Sequence, residues 1–132
     1  PVGILLQHGM IKEALVLIFE KIYEDRDFYR QAVKMEGQNS LTEIIEKSIH
    51  EILLQILTVK DQEMKTRYPW LDKNMISAYY ANSLAYIVIL WIRIDMKVPP
   101  ADMADIYRYV GQHSMEDVLQ EFGRISPEEF TI

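Results

Sequence analysis

The chain has 132 residues, 20 acidic and 14 basic side chains, a net charge of −6 and no cysteine. Disulfides and thiolate metal sites are thereby excluded. The basic residues are scattered instead of forming the Lys/Arg surface that phosphate contact requires, which argues against direct nucleic-acid binding by this chain.

The length fits one domain with a sizeable core, and the scarcity of Gly and Pro favours an all-α chain. Ile4-Leu5-Leu6 is too short for a signal-peptide core, and the lack of cysteine fits the cytoplasm. Ile11, Leu15, Ile18, Phe19 and Ile22 recur at helical spacing and predict a helix over 10–24. Asp25-Arg26-Asp27 offers a break. A shorter helix then presents Phe28, Ala32 and Met35 and stops at Gly37, a residue suited to the left-handed position after a helix. Ser40-Leu41-Thr42-Glu43 has the capping-box pattern, followed by an apolar stripe from Leu41 through Ile45, Ile49 and Leu53 to Leu57. A weak phase through Met64 and Tyr68 carries that helix on towards Pro69.

Asp72 is placed to cap a long helix whose pattern runs from Met75 to Met96. Every residue from Leu84 to Ile92 is apolar or aromatic. A helix apolar on all sides must be covered by its own core on one side and by something else on the other. Nine residues cannot cross a bilayer, which needs about 20, so the cover expected is a partner subunit. Ile87-Val88-Ile89 is β-branched, but no Gly, Pro or turn cluster interrupts the pattern, and its length favours helix over strand. Pro100 suits the first position of the next helix, where Met103, Ile106, Tyr107 and Val110 share a face. Ser114 can cap a last helix with Met115, Val118, Leu119 and Phe122 inward and Gly123 at its end. Ser126-Pro127-Glu128-Glu129 suggests one more turn. The sum is an all-α bundle of about six helices.

Little points to catalysis. His8, His50 and His113 are far apart, and no HExxH, P-loop or GxSxG pattern occurs. Glu46 and His50 share a helix face, which reads as a surface pair before a metal site. No catalytic residue, metal or cofactor is expected.

Several segments carry a resemblance. Phe28 precedes a helix ending Met35-Glu36-Gly37-Gln38. Tyr79-Tyr80-Ala81-Asn82-Ser83-Leu84 leads into the apolar run with Trp91, and Met96-Lys97-Val98-Pro99-Pro100-Ala101-Asp102-Met103-Ala104 follows. Read in order, the pattern from about Met10 to Val110 resembles the C-terminal regulatory region of TetR/AcrR-family transcriptional regulators, and most closely the branch linked to dihydroxyacetone-kinase regulation. Lys97 and Pro99 depart from the glycine and the Ser or Thr common in that linker. Nothing like the family's basic helix-turn-helix module precedes Met10, so residues 1–132 read as a single ligand-binding and dimerisation domain. The resemblance implies a homodimer through residues 75–96 and 100–112, with Ile87, Ile94, Ile106 and Val110 expected at the interface. It also implies a pocket for a small effector whose binding tilts DNA-reading heads outside this chain. Phe28, Tyr79, Asn82 and Tyr86 are the expected wall. Positions 79, 82 and 86 share a face on which no Arg or Lys is expected, so a neutral, partly hydrophobic effector is favoured. The rival reading is a stand-alone helical interaction module, or a coactivator-like relative without DNA binding. Neither reading involves a membrane.

Overall fold

The computed structural model describes residues 2–35, 38–124 and 128; the side chains of residues 38 and 39 lie outside the description. The described residues form eight helices and no strand: α1 (Val2–Gln7), α2 (Ile11–Glu24), α3 (Arg26–Met35), α4 (Gln38–Val59), α5 (Asp61–Arg67), α6 (Lys73–Arg93), α7 (Pro100–Gln112) and α8 (Met115–Phe122). The all-α reading holds. The two helices beyond the expected six are α1 and α5. Gly9, with φ +72°, ends α1, where Gly9 and Met10 donate their N–H groups to the carbonyls of Leu6 and Leu5. That is a Schellman motif, which needs a left-handed residue and so favours glycine. At Lys60 the chain breaks step, so α5 is a separate helix instead of a continuation of α4.

Several expected boundaries recur. Asp72 caps α6 by accepting N–H bonds from Asn74 at 2.6 Å and Met75 at 3.3 Å. Pro100 opens α7, and Ser114 caps α8 in a reciprocal box with Asp117. The Ser40 cap does not hold. α4 already includes Gln38, so Ser40 lies inside the first turn and its hydroxyl is not at the helix end. Gly37 and most of the turn expected at Ser126–Glu129 lie outside the described residues.

The core is built on α6. Ala81, Leu84, Ala85, Val88, Ile89, Trp91 and Ile92 are buried, and α6 packs most extensively on α4. The small residues Ala81 and Ala85 allow that close approach. α7 packs on α2, where Ala14 and Ala104 are fully buried. Trp91 anchors the centre. Its ring meets Phe19 edge-on at 5.2 Å, and its indole N–H donates to the Val98 carbonyl at 2.8 Å. Beyond it α6 ends in a second Schellman turn, with Asp95 and Met96 donating N–H bonds to Ile92 and Trp91. Here the left-handed residues are Asp95 (φ 63°) and Met96 (φ 51°). Burial of Met96 beside Trp91 supplies the apolar contact that accompanies such turns. By length and composition α6 is the one described helix that could cross a membrane. Its 21 residues, not nine, are the relevant span, and burial in the core accounts for the apolarity of one face.

Candidate functional site

Three helices supply most of the wall of one apolar cleft, which Val2 of α1 also lines. Ile18 and Ile22 come from α2, Phe28 and Ala32 from α3, and Ile45 and Ile49 from α4. The α2 and α4 contributions follow from their stripes: Leu15, Phe19 and Ile22 seat α2 on the core, and Leu41 and Ile49 seat α4. α3 is different. None of its residues is buried, so it covers the gap without filling it, with Phe28 and Met35 largely exposed along the rim. The cleft measures about 480 Å³, within the range of small-molecule sites. Lys21, Tyr29, Gln31 and Ser48 are its polar side chains. The Ser48 hydroxyl is spent on the Ile44 carbonyl at 3.0 Å. Burial, and then the neighbouring Asp25 carboxylate, push the Tyr29 phenol above its ordinary pKa, so it stays protonated and uncharged at neutral pH.

Of the expected pocket residues only Phe28 lines this cleft. Tyr79, Asn82 and Tyr86 lie together on α6, but on its outer face, where Tyr79 and Tyr86 are 69% and 63% exposed. With Thr42 and Glu46 of α4 they border a separate groove of about 570 Å³. The inner face of α6 is the Ala81–Ile92 set, which fills the space against α4. α2 therefore supplies the third wall in place of α6. Arg93 also borders the groove, so a basic residue does stand on the face where none was expected. The spacing at 79, 82 and 86 correctly gives one face of α6; it carries no sign of which face is inward.

The expected interface residues separate by exposure. Ile94, Ile106 and Val110 are 49%, 45% and 60% exposed, while Ile87 is half-buried against the core. Tyr107 brings α7 beside α6: its hydroxyl lies 2.7 Å from Ser83 Oγ and donates to the Tyr80 carbonyl at 3.2 Å. The inward assignment of α8 fails. Met115, Leu119 and Phe122 are largely exposed, because α8 starts afresh at Ser114 and finds no described element to cover it. Among the described residues no group of three or more His, Asp or Glu side chains converges as a metal site. Glu46 and His50 do border one small depression between α4 and α6.

An all-helical domain with an apolar cleft in α2–α4 and uncovered apolar faces on α6–α8 has the parts of a regulatory domain. Residues 10–122 match the TetR-type family model described as the transcriptional regulator C-terminal region, and the chain belongs to that family. Neither a curated protein nor a solved structure matches it.

Proposed function

We propose that this chain is a single effector-sensing and homodimerisation domain of a cytoplasmic TetR-like regulator, acting on DNA through a separate head. The observation that carries the reading is the pairing of an apolar cleft with exposed apolar residues that the other described residues leave bare. Ile94 in the turn after α6, Ile106 and Val110 on α7, and Leu119 and Phe122 on α8 are all exposed apolar residues. Exposed apolar residues of this kind support an interface reading, and a two-fold contact would cover both copies at once. The cleft in α2–α4 takes a small, largely apolar effector. The domain is non-catalytic and uses no cofactor. Its −6 charge supports DNA contact only through another module. The segments Tyr79–Leu84 and Met96–Ala104 support a place in the branch linked to dihydroxyacetone-kinase regulation.

Light scattering on the purified chain is the direct test. The reading expects twice the 15.6 kDa chain mass at micromolar concentration, and a monomer for Ile106→Glu, which would bury an unpaired charge. A well-folded wild-type monomer would refute the dimer.

A further inference from the structure

Among the described residues Lys21 is the only charged side chain bordering the cleft, and no acidic one lines it. Among the described residues Lys21 enters no ion pair, whereas its neighbours in the fold do: Lys12 pairs with Asp105, and Arg30 pairs with Asp27 and Asp95. We propose that the cleft selects an amphipathic monoanion, an apolar body carrying one carboxylate or equivalent group, with the anion held at the rim by Lys21. This rests on the effector-cleft reading above and sharpens it.

The chemistry of the walls sets each part. Ile18, Ile22, Ile45 and Ile49 offer no hydrogen-bonding side chain, so a polar body would lose its water contacts without replacement. Ser48 cannot donate, because its hydroxyl proton already goes to Ile44, and Tyr29 and Gln31 give these walls only a few polar points. A cationic ligand would meet Lys21 and no counter-charge on the lining. A neutral ligand would gain the apolar contacts but leave the ammonium unused. A monoanion gains both, since a lysine buries its methylenes along an apolar wall while its head stays at the solvent boundary. Asp25, four residues after Lys21, is an opposing charge close to the cleft. It acts on Tyr29 without lining the cleft, so it limits the attraction at the rim but does not cancel it.

Decanoate and methyl decanoate, which share a body and differ in charge, are the probes, titrated against the full chain by calorimetry. Decanoate should bind about two- to fivefold more tightly, the worth of one solvent-facing ion pair, and the preference should shrink as salt is added. Lys21→Gln, an exposed substitution with no partner to lose, should equalise the two. NMR shift changes at Ala32 and Ile45 locate the ligand without altering the cleft, and Ala32→Phe should block it. Equal affinities in the wild type, with shifts at Ala32 and Ile45, would overturn the anion assignment and leave the cleft reading standing. No binding of either probe, or binding with no shifts around the cleft, would overturn both.

Discussion

Arg30 of α3 holds Asp95 at the C-terminal turn of α6, with Nε 2.6 Å from Oδ1. The helix that covers the cleft is thereby tied to the end of the helix that organises the core. α3 buries no residue completely, so this pair adds to the partly buried Tyr29 and Val33 in fixing its position. A ligand that displaced α3 would pull on the turn leading to α7. The pair is partly solvent-facing, with side chains 32% and 62% exposed.

A double-mutant cycle on Arg30→Ala and Asp95→Ala should give a coupling of about 0.2–1 kcal/mol that falls with added salt. The left-handed backbone at Asp95 separates two further substitutions. Asp95→Gly loses the pair but relieves the turn, whereas Asp95→Ala loses the pair and keeps the strain, so alanine should be the less stable by about 1 kcal/mol. Urea denaturation of the set measures both quantities; alanine as stable as glycine would contradict the second.

Trp91 should be the costliest single position. Trp91→Phe keeps most of the ring contact with Phe19 but leaves the Val98 carbonyl without its donor, for a loss of about 1–3 kcal/mol. Trp91→Ala adds a cavity and should cost about 3–5 kcal/mol. Thermal melts that rank the two equally would show that the hydrogen bond, not packing, dominates.

Alkaline stability should depend on Tyr107. Burial pushes its phenol above the ordinary tyrosine pKa, only partly offset by the hydrogen bond with Ser83. The folded state thus favours the protonated form. Its contribution is intact below the unfolded pKa of about 10 and is lost as pH rises from there through the higher folded value. Tyr107→Phe should flatten this part of the pH–stability curve while losing about 1 kcal/mol at neutral pH from the broken α6–α7 link. The Tyr29 phenol is raised in the same direction, so some alkaline slope should persist in that variant.

At the acid end the sign reverses at Asp72. Two backbone N–H bonds, from Asn74 and Met75, hold its carboxyl below the usual carboxylate range. Its contribution is present above the unfolded pKa of about 3.9 and disappears as pH falls through the lower folded value. Asp72→Asn, which can still accept those bonds, should show a weaker acid dependence over that window than the wild type. Circular dichroism at 222 nm against pH would check it.

Helix boundaries fixed by a local device were legible in the sequence. Asp72, Pro100 and Ser114 each act within their own first turn, and each stands at its expected place. The stripes of α2 and α4 were legible because burial and period coincide there. Ser40 shows where local pattern fails: α4 already includes Gln38, and a cap pattern became helical sequence. The direction of a helix face was not legible on α6, since nearly every position there is apolar or aromatic. Tyr79, Asn82 and Tyr86 are recognisable as neighbours, but only packing against α4 decides that they face outward. α8 failed for a related reason. Its amphipathic pattern correctly gives a helix with one apolar face, but no pattern within a single chain states whether that face is covered by the same chain.

The two tryptophans lie at opposite extremes of solvent access, Trp91 at 1% and Trp70 at 74%. Their light emission should therefore separate without any added label. Trp91, enclosed by apolar side chains, should emit at shorter wavelength and resist quenching by iodide. Trp70, in the segment between α5 and α6, should emit near the wavelength of free indole and be quenched readily. A Trp70→Phe chain would leave a single tryptophan at the centre of the core, two turns of α6 from the Ser83–Tyr107 contact, and any repacking there would register as a spectral shift.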